Sequence, residues 1–301
     1  MRQTSLSKKS IEFSPYLVGT MRLGKWGENF NTNQWIDFIE KSLALGLRDF
    51  DHADIYGDYS TEADFGEVLK EKPHLRDDMQ ITTKCGIKMP TGNRPDYKIK
   101  SYDSGEKHIM GSVENSLKQL KTDYIDVLLL HRPDFLMNPH EIAEVFEKLK
   151  DEGKVKYFGV SNFTTSQFEM LDKVVPLVTH QIEASLSHLD PFENGVLDQL
   201  LMKNIRPTAW SPLGGGHFRH KGNSNAVQKQ DEIFRKLSEK YELNNAQLML
   251  LFLKRHPSGI IPVLGTSKTD RLEEALKVDS KMMEKEDWYA LYSAAKGEEL
   301  P

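Results

Sequence analysis

The sequence predicts an α/β fold, a closed (β/α)8 barrel of the TIM type with additional helices near the C-terminus. Three observations carry this. Short apolar or alternating runs recur eight times between helical patterns, no Pro/Gly/Ser-rich linker is long enough to separate one domain from another, and polar residues gather where the runs end. Residues 1–301 are therefore expected to form a single domain, a length that suits one such barrel.

The expected strands are YLVGTM (16–21), LRDFDHA (47–53), MQITTKC (79–85), YIDVLLLH (124–131), VKYFGVSN (155–162), LVTHQIEAS (177–185), RPTAWSP (206–212) and GIIPVLGT (259–266). Helical patterns lie between them at 32–46, 61–72, 106–121, 138–153, 164–175, 193–204 and 228–241. Asn138-Pro139 is a start signal for one of these and Gly153 a stop signal. AQLMLLFLKRH (246–256) adds a helix before the last strand, and EDWYALYSAAKGEEL (286–300) adds one after the last repeat unit. Two connections are long, 86–106 and 213–225.

Composition narrows the function classes. With 38% hydrophobic and 28% charged residues and ordinary Gly and Pro usage, the chain is a globular protein rather than a disordered or collagen-like one. The net charge is −5 and Lys and Arg are spread along the chain, so no nucleic-acid partner is expected. A lone cysteine, Cys85, can neither close an internal disulfide nor supply a cysteine-type zinc site. No bound metal is expected, and a reducing, cytoplasmic setting fits. The first residues lack an apolar h-region and no run of about 18 apolar residues occurs, so neither export nor membrane insertion is expected.

In a (β/α)8 barrel the active site forms at the C-terminal strand ends. The second strand ends in Asp51 with Tyr56 five residues on, the third in Lys84 and the fourth in His131. Ile125, Val127, Leu129 and His131 share one face by the strand period. An acid, a phenol, an ammonium and an imidazole can thus converge. A tyrosine with a pKa near 10 is a weak donor at neutral pH, but a neighbouring ammonium favours the phenolate and makes the phenol a stronger acid. Lys84 is the expected ammonium, Asp51 its holder, Tyr56 the proton donor to a developing alkoxide and His131 the group that orients the carbonyl oxygen. Taken singly, Asp51 and Lys84 also read as a structural ion pair and His131 as a satisfied polar group. Asp49, Asp54 and Asp58 are expected to be solvated or capping carboxylates, and His52 a neighbour without a role.

These residues bring a family into view. FDHADIYG, ITTKCG and LLLHRPD resemble the Asp-x-x-x-x-Tyr, lysine and histidine motifs of the aldo-keto reductases, and the resemblance spans essentially the whole chain. It implies that Asp51, Tyr56, Lys84 and His131 are the family's catalytic tetrad and that NADPH, in preference to NADH, supplies hydride without a Rossmann domain. By the same resemblance, Ser161 and Asn162 of GVSNF and Gln181 of THQIEAS would bind the nicotinamide carboxamide. Trp210 would stack on the nicotinamide ring, its other reading being a core tryptophan. Ser211, Pro212, Leu213 and Gly214 follow it at the cofactor, and the loop 214–224 can close over the pyrophosphate. Gly19, Thr20, Met21 and Arg22 are further candidates beneath pyrophosphate and nicotinamide, or else turn residues. In LGTSKTDRLEEAL, Gly265, Thr266, Ser267, Lys268 and Arg271 would surround the 2′-phosphate and Glu274 would meet the adenine; the competing reading is an ordinary helix start capped by Ser267 or Thr269. The family usually has Asn after that Glu, and here Ala275 stands there.

The resemblance is to bacterial oxidoreductases related to potassium-channel β subunits. It implies reduction of aldehydes or ketones to alcohols, with broad acceptance because the loops, including Trp26 and Phe30 and the insertion 86–106, shape an open pocket. A rival from another class is an NADP(H)-binding regulatory or redox-sensor module with incidental turnover. The same residues also support the oxidative direction, with Tyr56 as base. The expected partner is a small-molecule carbonyl substrate, with no membrane.

Overall fold

The computed structural model describes residues 11–215 and 224–298. In chain order the strands are β1 (Leu17–Gly19), β2 (Asp49–Asp51), β3 (Gln80–Cys85), β4 (Ile87–Lys88), β5 (Ser101–Tyr102), β6 (Ile125–Leu130), β7 (Val155–Ser161), β8 (Leu177–Glu183), β9 (Thr208–Trp210) and β10 (Ile261–Leu264). Eight of them close a barrel in the order β1, β10, β9, β8, β7, β6, β3, β2, every pairing parallel. Closure is made by Leu17 opposite Val263. All eight predicted strands are present, trimmed at their ends. The remaining two, β4 and β5, form an antiparallel hairpin inside the insertion after β3, where the sequence pattern predicts only a long connection.

A parallel strand covered on both faces reads as a continuous apolar run, and β6 illustrates it: all six residues of IDVLLL are buried. The helices of the outer ring start where their caps dictate. Thr32–Ala44 follows Asn31, whose side chain accepts from the Gln34 amide while the Gln34 side chain returns to the Asn31 N–H. Pro139–Asp151 begins behind Asn138, which accepts from the His140 N–H, with Pro139 at the first helical position. Asn245–Lys254, the additional helix, is buried from Gln247 through Leu253, as its unbroken apolar sequence requires. Among the described residues no helix is long and apolar enough to cross a membrane. Most of the expected pyrophosphate-closing loop, residues 216–223, lies outside the described residues.

The core fills the space between ring and barrel. Phe146 of helix Pro139–Asp151 stacks on Phe158 of β7 with centroids 4.0 Å apart. Trp35 meets Phe65 edge-on at 5.7 Å, tying helix Thr32–Ala44 to helix Thr61–Glu71. The latter helix touches helix Glu106–Leu120 at Gly66, where a Cβ would fall 1.9 Å from the Gln119 carbonyl oxygen. That atom belongs to the backbone and cannot step aside. Gly66→Ala should therefore cost about 1–3 kcal/mol by overpacking, read as a lower urea midpoint with an unchanged slope.

Candidate active site

The four residues expected to carry chemistry meet at one end of the barrel. Lys84, at the end of β3, is fully buried, and its Nζ donates to Asp51 Oδ2 at 2.8 Å, the His52 carbonyl at 2.7 Å and Tyr56 Oη at 3.1 Å. Three acceptors match the three N–H bonds of an ammonium. Because Tyr56 accepts from Lys84, its own O–H hydrogen is left to point elsewhere. His131 follows β6, its backbone N–H bound to the Cys85 carbonyl at 2.8 Å, and its ring lies edge-on to Tyr56 with centroids 6.1 Å apart.

Asp51 is held from a second side. Gln181 of β8 donates Nε2 to Asp51 Oδ1 at 2.8 Å across the barrel interior. A carboxylate only accepts, so this contact fixes the Gln181 amide and turns Oε1 away as an acceptor. Gln181 pairs in register with Ser161 of β7. Asn162, next in the chain, takes a left-handed conformation (φ 59°), donates Nδ2 to Ser161 Oγ at 2.7 Å and accepts from Trp210 Nε1 at 3.0 Å. Trp210 is half-buried rather than a core residue. Ser161, Asn162, Gln181 and Trp210 therefore form one connected wall beside Asp51. The turn carrying Asn162 is held by His180, whose buried Nε2 accepts from the Phe163 N–H at 3.0 Å. Burial lowers the His180 pKa to about 3, which keeps that nitrogen an acceptor.

The electrostatics revise one expectation. Burial pushes the Tyr56 phenol above its ordinary 10, Lys84 pulls it back, and Asp51 pushes it up again, so the net direction is upward. Tyr56 is thus fully protonated at neutral pH. Lys84 feels burial as the largest effect, which would lower it, but Asp51 and Tyr56 together outweigh this and hold it above 10.5. Burial, then the charges of Lys84, Arg132 and Lys100, keep His131 well below 6.5 and hence neutral. Its Nδ1 is buried without a partner. Placing the proton on Nε2 avoids a buried orphan donor, which makes Nε2–H the group available to a ligand.

Several residues are placed otherwise than expected. Thr20 is fully buried, with its hydroxyl against the Asp51 carbonyl and His52 Nδ1, both at 3.0 Å. It braces the end of β2 rather than facing a ligand, because both its polar contacts are inside the barrel wall. His52 is not idle, since its carbonyl is one of the three acceptors of Lys84. Asp49 and Asp54 are buried, not solvated. Asp49 accepts from the Ser14 N–H at 2.6 Å, at the opposite end of β2 from Asp51. Burial, then the nearby Glu62, raises Asp54 well above its ordinary value.

The other expected cofactor residues lie on the segments that follow β1, β9 and β10. Met21 is half-buried and Arg22 exposed, with Arg22 Nη1 on the Trp26 carbonyl at 3.1 Å. Ser211, at φ 51°, and Gly214, at φ 57°, bracket a turn closed by the Gly214 N–H on the Ser211 carbonyl at 2.8 Å; Pro212 within it is buried and Leu213 half-buried. After β10, Gly265 and Lys268 are exposed and Thr266 and Ser267 half-buried. Helix Thr269–Leu276 starts there without a side-chain cap on its first turn. Ser267 and Thr269 therefore do not cap it, and no side chain occupies that helix start, beside Lys268 and the exposed Arg271. Glu274 is exposed on this helix, whereas Ala275 is buried, with its carbonyl accepting from Tyr16 Oη at 2.9 Å.

A parallel barrel with an acid, a phenol, an ammonium and an imidazole at its C-terminal strand ends defines an enzyme-like site. The chain belongs to the aldo/keto reductase family, whose family model matches residues 17–296. It is 39% identical to the oxidoreductase YdhF of Escherichia coli over the full length of both chains. It is 38% identical, again over the full length of both, to the 6-dehydroglucose reductase of Agrobacterium fabrum. Among solved structures it resembles an aldo/keto reductase from Klebsiella pneumoniae crystallised with NADP and acetate, with a TM-score of 0.74 and 23% identity over 93% of this chain and 90% of that one.

The buried pair also has a stability signature. Lys84→Met leaves Asp51 buried beside Gln181 without its counter-charge and should destabilise the fold by about 3–5 kcal/mol. Asp51→Asn combined with Lys84→Met should recover some of that loss in the same denaturation measurement.

Proposed function

We propose that this protein is an NADPH-dependent reductase that converts aldehydes or ketones to alcohols, with Tyr56 as the proton donor. The observation that carries this reading is the fully buried Lys84 ammonium hydrogen-bonded to both Asp51 and Tyr56. The wall of Ser161, Asn162, Gln181 and Trp210 fits a nicotinamide. Trp210 offers a ring held by Asn162, and Gln181 Oε1 is oriented to accept from a carboxamide. The uncapped start of helix Thr269–Leu276, with Gly265, Thr266, Ser267, Lys268 and Arg271, fits a phosphate, and Glu274 lies on the same helix for the adenine. Met21, Arg22 and Ser211 through Gly214 would lie along the connecting pyrophosphate. When bound, the cofactor supplies a hydride to the carbonyl carbon.

The chain's own residues do the rest. The carbonyl oxygen sits between the Tyr56 O–H and His131 Nε2–H, which together polarise it. Tyr56 gives its proton to that oxygen as negative charge develops, so the substrate gains hydride and proton and becomes an alcohol. Lys84, held by Asp51 and the His52 carbonyl, stabilises the phenolate left behind, and that phenolate is reprotonated before the next turnover. The raised phenol is not an obstacle, since what matters is the lowering that Lys84 contributes once charge appears on the oxygen. An intact set of four favours catalysis over a regulatory module, for which none of them would be needed.

Tyr56→Phe keeps the ring and removes the donor. NADPH consumption with a reactive aryl aldehyde at neutral pH should fall at least a hundredfold, about 2.7 kcal/mol of transition-state stabilisation. Unchanged turnover in that variant would remove Tyr56 from the mechanism. The pH profile of kcat for reduction follows from the same shifts. Tyr56 must be protonated, so activity is lost as pH rises through its pKa, which lies above 10. His131 is already neutral, so no acid limb arises near its ordinary 6.5. A steady-state profile should thus be level across neutral pH.

A further inference from the structure

Residues 57–59 are all left-handed, with φ of 59°, 57° and 68° at Gly57, Asp58 and Tyr59. Glycine adopts this freely and aspartate more readily than most residues. Tyr59 is bulky, so the segment is held by its contacts. The turn points Asp58 away from the barrel and toward two other loops, and it is not a freely solvated carboxylate. Its Oδ2 accepts from Lys25 Nζ at 2.7 Å, and its Oδ1 from Trp26 Nε1 at 3.1 Å. Its backbone carbonyl accepts from Asn93 Nδ2 at 2.7 Å. Tyr59 continues the seam: its Oη accepts from the Met89 N–H at 2.9 Å, and the Arg94 guanidinium lies 4.4 Å from its ring centroid. One residue after β2 thus joins the loop after β1 to the insertion after β3.

The Trp26 ring lies beside Tyr56, centroids 6.2 Å apart and planes tilted by 57°. At that distance the indole stands within reach of a group bound at the Tyr56 hydroxyl. We infer that Asp58 is a specificity-determining positioning residue: by fixing the Trp26 indole through its N–H, its carboxylate sets an apolar wall that selects carbonyl substrates bearing a flat, apolar group. This rests on the proposed reductase function with Tyr56 as donor. Asp58 itself touches none of the reacting groups; it acts through Trp26. Its carboxyl is held below the ordinary carboxylate range, chiefly by the Lys25 hydrogen bond, so the clasp is charged at neutral pH.

The test compares Asp58→Ala and Asp58→Asn with wild type, using 4-nitrobenzaldehyde and propanal as substrates. Asparagine tolerates the left-handed turn and keeps an oxygen for the Trp26 N–H; alanine does neither. Asp58→Ala should raise KM for the aryl aldehyde about tenfold with kcat within about twofold, and leave KM for propanal within about twofold. Asp58→Asn should restore most of the aryl preference. Trp26→Phe, which keeps a ring but removes the N–H, should reproduce the alanine pattern. Amide hydrogen exchange of residues 22–30 should quicken in Asp58→Ala. Equal losses for both aldehydes, or unchanged KM for both, would overturn the inference, as would unaltered exchange in that loop. Failure of wild type to reduce either aldehyde would instead count against the reductase reading, and the exchange measurement would still decide the clasp.

Discussion

A buried ammonium is the constraint around which this barrel is organised. Removing a charge from water costs several kcal/mol, and only paired, fully hydrogen-bonded neighbours offset it. Lys84 meets that demand with one carboxylate, one backbone carbonyl and one phenol, all delivered by the residues from Asp51 to Tyr56. Each acceptor needs its own support. Asp51 is also bound by Gln181, the Asp51 carbonyl accepts from the Thr20 hydroxyl, and His52 is pinned by the same hydroxyl. Burying one cation therefore fixes the ends of four strands relative to one another.

The same arrangement reconciles two needs that conflict in a tyrosine acid. A phenol sunk in a low-dielectric pocket holds its proton tightly, which keeps it loaded at neutral pH but reluctant to give the proton away. Lys84 leaves the first property in place, because burial is the larger influence in the resting site. Its attraction grows in importance only as the oxygen acquires charge. An interaction that strengthens along the reaction coordinate favours the transition state over the ground state.

Much of this is legible in the sequence. Eight apolar runs separated by helical periods suffice for the barrel, because parallel strands buried on both faces carry a dense hydrophobic signal, as IDVLLL does. Asp51, Lys84 and His131 are visible because they close such runs. What escapes is set by side-chain direction and local dielectric rather than by pattern. Thr20 looks like a mouth residue by position, yet its hydroxyl turns inward. Asp49, Asp54 and Asp58 are indistinguishable as letters, but one braces the far end of β2, one is buried with its pKa pushed well up and one clasps the loop after β1. Strands β4 and β5, two residues each, are too short to show a period.

The closing pair of the barrel, Leu17 against Val263, joins residues far apart in sequence. A growing polypeptide cannot make that pair until Val263 has been synthesised, and contacts of such long sequence separation are slow to form. Strands β2, β3, β6 and β7 can begin to pair earlier, whereas Gln181 reaches Asp51 across an interior that the last strand seals. Lys84 draws its acceptors from the β2 side alone, but its complete burial is a property of the closed barrel.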